Sequence, residues 1–110
     1  MDQKSIGEDD VKFDDIYFVD PFEIEILSRK VRPDKEILDM AISMHTHGQR
    51  RAVECRRAED GGLRLVHGSI RTYAARLIHS GFAYMDPVTN ANLRVKDRKF
   101  RLKAVICDNN

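Results

Sequence analysis

The 110-residue chain has no tryptophan, and only 7% of its residues are aromatic, which leaves few rings on which nucleic-acid bases could stack. Long apolar runs are also missing. None approaches the roughly 18 residues that a membrane-spanning helix requires, and the acidic stretch from Met1 to Asp10 has no signal-peptide character. The expected setting is therefore the cytoplasm, without membrane contact. Cysteine is scarce: Cys55 and Cys107 stand alone in apolar, strand-like runs, and no CxxC or Cys/His spacing frames a metal site. They are read as buried, reduced thiols in preference to a disulfide or a catalytic thiol. No metal ligands are expected.

What is present suits one hydrophobic core. A content of 42% hydrophobic and 34% charged residues is ordinary for a single globular domain of this length. The net charge of +1 conceals a polarity along the chain. Residues 1–26 carry nine acids and two bases, a net −7, whereas residues 27–110 carry seventeen bases and nine acids, a net +8. Such a basic body suits phosphates or nucleic acid, although charge that merely solubilises the domain has the same composition. Residues 1–12 lack any hydrophobic period and are expected to form a flexible acidic leader, with the folded domain spanning 13–110.

Apolar residues alternate between Asp15 and Ile26, which predicts one or two short strands with Pro21 at an edge or bend. A helix follows. Asp34 can cap it, Ile37, Met40, Ala41 and Met44 form its apolar stripe, and Gly48 ends it. The runs Ala52–Ala58 and Leu63–His67 flank Asp60-Gly61-Gly62, which predicts a β-hairpin. A second helix carries Ile70, Tyr73, Ala74, Leu77 and Ile78 as its buried face, with Gly81 just beyond it. A turn-rich loop over 86–92 and a last strand over 100–107 complete the expected α/β (α+β) fold, a small mixed sheet with two main helices.

The candidate site is the junction Leu65-Val66-His67-Gly68-Ser69-Ile70-Arg71, where a strand passes through a glycine into a helix. The first amides of a helix lack partners within it, and the macrodipole adds about half a positive charge there. An anion fits such a position. Gly68 would admit a phosphate oxygen to the main chain, Ser69 would cap the helix or donate its hydroxyl, and Arg71 would supply a planar fork of donors. His67 could add another. Arg50 and Arg51, in the connection after the first helix, could converge on the same end of the sheet. Plain helix capping is the competing explanation of a Gly-Ser turn.

This order of elements resembles the ParB/sulfiredoxin fold, and the likeness extends to residues. ParB N-terminal domains carry Leu-x-x-Leu-Ala-x-Ser-Ile-x-x-x-Gly, and Ile37, Met40, Ala41, Ser43, Met44 and Gly48 stand at those spacings. The family's Gly-x-x-Gln-Pro box resembles Gly48, Arg51 and Ala52, and its Gly-Glu-Arg-Arg turn, with Ala-Ala two residues on, resembles Gly68-Ser69-Ile70-Arg71 and Ala74-Ala75. The resemblance covers about residues 15–81. It implies a ParB-like domain that holds a nucleotide, CTP or ATP with magnesium, through Gly68, Ser69, Arg71, His67, Arg50 and Arg51. A DNA-associated role in plasmid, phage or mobile-element partition or regulation is implied with it. Ser69 stands where the family's turn has glutamate and Ile70 where it has the first arginine, which implies little catalysis. Sulfiredoxins have Gly-Cys-His-Arg at this turn, and with Ser69 and Ile70 in those places thiolate repair chemistry is excluded. The family's DNA-reading helix-turn-helix would have to come from a partner protein.

Two other readings stand beside this one. A weak magnesium-dependent nuclease, NTPase or kinase of the same fold would need a metal-holding acid near the turn, for which Glu54, Asp60 and Asp86 are the local donors. A protein-interaction module that has lost the ligand is the other. Finally, Arg94, Lys96, Arg98, Lys99, Arg101 and Lys103 set six bases against Asp97. Read as one strand, they form either an edge kept soluble by charge or a backbone-phosphate surface for DNA or RNA.

Overall fold

The computed structural model describes residues 16–27 and 33–107; the expected leader over 1–12 lies outside them. The chain forms β1 (Ile16–Val19), a 3-10 turn (Pro21–Glu23), β2 (Ile24–Glu25), α1 (Asp34–His47), β3 (Val53–Arg57), β4 (Leu63–His67), α2 (Ser69–Ser80), β5 (Phe82–Met85), β6 (Asn92–Val95) and β7 (Leu102–Cys107). Five strands make one mixed sheet in the order β1-β7-β3-β4-β2, and β5 pairs with β6 as a separate antiparallel hairpin. Within the sheet β1–β7 and β3–β4 are antiparallel, whereas β3–β7 and β2–β4 are parallel. The α/β architecture with a mixed sheet and two helices is the one expected.

Several local expectations hold for the reasons given. Pro21 sits at the start of the 3-10 turn between β1 and β2, where its missing amide is harmless, and the Asp20 carboxylate accepts from the Phe22 amide at 2.9 Å. Gly48 and Gly81 end the helices at φ +82° and +104°, their amides donating to Met44 and Leu77 carbonyls. The β3–β4 hairpin turns at Asp60, whose carboxylate accepts from the Gly62 amide at 2.8 Å.

Val53, Cys55, Leu102 and Ala104 of the sheet are buried together with Ala41 and Met44 of α1 and Ala74, Ala75 and Ile78 of α2. Filling that volume with Ile78 alone contributes about 1.5–3 kcal/mol. The expected stripe on α2 is too narrow. Thr72 and Ala75 are fully buried as well, because α2 packs on α1 and also on β3, so its covered arc is wider than one row. The Thr72 hydroxyl is satisfied by the Gly68 carbonyl at 3.0 Å.

Two expectations fail and one is incomplete. Asp34 is the first helical residue and not the cap; Pro33 holds that position, with no side-chain cap hydrogen bond. The turn-rich loop over 86–92 is present, but it joins two unforeseen strands, β5 and β6, as a hairpin; the Asp86 carboxylate there accepts from the Val88 amide and the Thr89 hydroxyl and is thereby held below the usual carboxylate range. The basic stretch from Arg94 to Lys103 is not one strand. Asp97 breaks it, its backbone amide donating to the Ile78 carbonyl and its carboxylate accepting from the Lys99 amide at 2.9 Å. Beyond that turn β7 lies between β1 and β3, so the last strand is interior and no charged edge.

Candidate functional site

Approaching the junction, β4 carries a bulge. Cys55 lies opposite Leu65 but Glu54 lies opposite His67, which leaves Val66 as an extra residue. A bulge re-aims the residues that follow it. His67 is accordingly exposed and paired across from Glu54, and the chain turns at Gly68 directly into α2. Gly68 has φ +109°, and a Cβ there would meet Val53 Cγ1 at 2.6 Å. The demand for glycine is therefore set by conformation and by packing on β3.

Gly68 is the helix cap, without a side-chain hydrogen bond, and Ser69 is the first helical residue, so Ser69 is not the cap that the sequence suggested. The first helical hydrogen bond runs from the Thr72 amide to the Gly68 carbonyl at 3.0 Å. The Ile70 and Arg71 amides precede it and have no partner within α2. No acidic residue occupies the first turn, so the positive helix end is not neutralised locally. Arg71 is half-buried and makes no ion pair with a described residue.

These groups border a cleft of about 310 Å³ that takes in the whole run from Leu65 to Arg71. Its remaining wall is Ile26, Leu27 and Met40. Charge and main-chain donors thus share one cleft with aliphatic surface. Sequence reasoning missed that wall because Met40 and Ile70 read as helix core and Leu27 carries no periodic signal. Both helical residues are in fact only half-buried. Their membership in the apolar stripes of α1 and α2 was the available hint.

Arg50 and Arg51 enter at the start of β3, the end of the sheet at which β4 finishes, but neither lines the cleft. Their connection is fastened elsewhere. The Gln49 side chain donates to the Lys103 carbonyl at 2.9 Å and accepts from the Lys103 amide at 2.7 Å, and Lys103 Nζ donates to the Gln49 carbonyl at 3.2 Å. Lys103 is thereby committed to holding the loop on β7. Of the other bases in that stretch, Arg94 lies exposed on β6, Lys99 in the turn, and Lys96, Arg98 and Arg101 border a second, separate pocket.

Asp60 and Asp86 serve their own turns; Glu54, facing His67, is the one of the three local acids at the junction. Its carboxylate accepts a long contact from Cys107 Sγ at 3.7 Å. Among the described residues no three His, Cys, Asp or Glu side chains gather as metal ligands. Both cysteines are free, and burial pushes the Cys55 thiol up to about 11. None of the described helices is long and apolar enough to cross a membrane.

Neither a protein-family model nor a curated protein matches this chain. The fold, however, is ParB-like. The C-terminally truncated chromosome-partitioning protein ParB from Caulobacter crescentus, solved in complex with CTP-gamma-S, superposes with a TM-score of 0.60 at 12% identity. That match covers 86% of this chain and 45% of the ParB chain, so the present residues span less than half of its length.

Proposed function

We propose that this chain is a ParB-like nucleotide- or phosphate-binding domain with a DNA-associated role and little catalysis of its own. One observation carries the reading: the Ile70 and Arg71 amides, which have no partner within α2, and the Arg71 side chain border one cleft that also offers an aliphatic wall. Phosphate oxygens would lie against the Ile70 and Arg71 amides, with the Arg71 guanidinium as a charge-assisted partner and His67 and Ser69 beside them. A base or sugar would rest on Met40, Leu27 and Ile70. The solved ParB with this fold was captured with a CTP analogue, which favours CTP over ATP as the first ligand to try. Glutamate and a second arginine are lacking at the turn, where Ser69 and Ile70 stand, and this supports binding in preference to hydrolysis.

The test is calorimetric titration of CTP and of ATP, each with magnesium, into the wild-type chain and into Arg71→Ala. Loss of a charged hydrogen-bond partner is expected to weaken binding about 10- to 100-fold, while the melting temperature stays unchanged. If neither nucleotide binds either protein, the reading is wrong.

A further inference from the structure

At the opposite end of α2 the structure holds a second pocket, of about 320 Å³, that the nucleotide reading leaves unused. Lys96, Arg98 and Arg101 line it together with His79, Ser80 and Asp20. We propose that this pocket seats a backbone phosphate of duplex nucleic acid and that it is the docking point for a sequence-independent electrostatic contact. The inference rests on the DNA-associated part of the function above and is independent of the nucleotide cleft.

The charge balance favours an anion. Three cations face one carboxylate, a formal +2, whereas the C-terminal end of α2 contributes only about half a negative charge. Moreover, several of the carbonyls that could repel an anion there are already engaged. Leu77 accepts from the Gly81 amide, Ile78 from the Asp97 amide, and Phe100 from His79 Nε2 and from Arg101 at 3.2 Å. The Asp20 carboxylate is held by the Phe22 amide, and the Asp97 carboxylate by Lys99. Lys96 and Arg98, by contrast, are exposed and form no ion pair with any described residue.

The turn is also built to present them. Asp97 pins its middle onto the end of α2, and Arg101 donates to the Arg98 carbonyl at 3.2 Å, which braces the loop from its far side. Arg94 and Lys99, both exposed, extend the positive surface beyond the pocket along the chain. A small free anion would call for an enclosed, convergent site. An open pocket continued by a stripe of cations suits a polyanion whose phosphates repeat. No tryptophan or tyrosine lines the pocket, and its single phenylalanine, Phe22, already has edge contact with His79 and lies 5.6 Å from the Arg76 guanidinium carbon, which suits recognition of backbone more than of bases.

The experiment compares the full chain with Lys96→Gln/Arg98→Gln and with a charge-matched control, Lys35→Gln/Arg64→Gln, whose sites lie on α1 and β4. Fluorescence anisotropy of a duplex of arbitrary sequence is followed from about 50 to 200 mM salt. The pocket variant is expected to bind roughly tenfold more weakly at the lowest salt and to lose about two from the slope of log affinity against log salt. The control should stay within about twofold of wild type, and all three proteins should melt alike and bind CTP alike. No duplex binding by wild type, an unchanged slope in the pocket variant, or an equal loss in the control would each overturn the proposal. Competition by inorganic phosphate at a concentration equal to that of the duplex phosphates would reassign the pocket to a free anion and overturn it too. Because CTP binding is read in the same samples, a silent nucleotide cleft and a silent cationic pocket are separate results.

Discussion

Gly68 and Val53 touch so closely that a methyl group on the glycine would come within 2.6 Å of Val53 Cγ1 and 2.8 Å of its Cβ. The two residues join the last turn before α2 to the first residue of β3, and thus fix the entrance of the helix against the sheet. The main-chain amides that border the cleft are aimed by this contact.

Substituting Gly68→Ala adds strain at φ +109° to overpacking on Val53, each worth about 1–3 kcal/mol. Urea denaturation should show a loss of at least about 2 kcal/mol. The double variant Gly68→Ala/Val53→Ala should recover only part of the packing share, since the close contact with the Cβ of residue 53 at 2.8 Å and the unfavourable backbone conformation both remain. Full recovery would show that φ is no constraint here.

Arg76 ties α2 to the segment joining β1 and β2. Its Nε donates to the Pro21 carbonyl at 3.0 Å and its Nη2 to the Ile24 carbonyl at 2.7 Å, while its guanidinium carbon lies 5.6 Å from the Phe22 and the Tyr73 ring centres. Arg76→Met keeps much of the stem but leaves two carbonyls of buried residues unpaired, at a cost of about 2–4 kcal/mol. Arg76→Lys should not restore stability, because a single ammonium cannot reproduce the planar fork. A melting temperature for the lysine variant equal to wild type would contradict this.

The two thiols should differ. Cys55 has no exposed surface, and its pKa is pushed up to about 11 by burial, with the Glu54 charge adding to it. The neutral thiol is therefore the folded form, and unfolding favours the thiolate. Its contribution to stability is complete below the ordinary thiol pKa and is lost as pH rises from there through about 11. A thiol reagent at neutral pH should label only Cys107 in the native chain, and Cys55 only after denaturation. Equal labelling rates in the native state would refute the difference.

Alternation from Ile16 to Ile24, the 3-1-3 spacing of Ile37, Met40, Ala41 and Met44, and glycines at 48, 61 and 81 were enough to locate most elements, because these are local signals of period and backbone conformation. The hairpin of β5 and β6 escaped notice: its strands are four residues each, too short for a period to stand out. The strand-to-helix turn at Gly68 was legible as a turn and a candidate site for the same local reason, being a glycine between two recognisable patterns.

Local order along the chain determined the element sequence, the two helix ends and the turn whose amides open outward. Only the tertiary structure decided that β7 lies inside the sheet, that Gln49 and Arg76 act as fasteners across more than fifty residues, and that Lys96, Arg98 and Arg101 share a pocket while Lys103 does not. Strand order and pocket membership depend on which distant segments pack together, and periodicity within a segment carries no record of its neighbours.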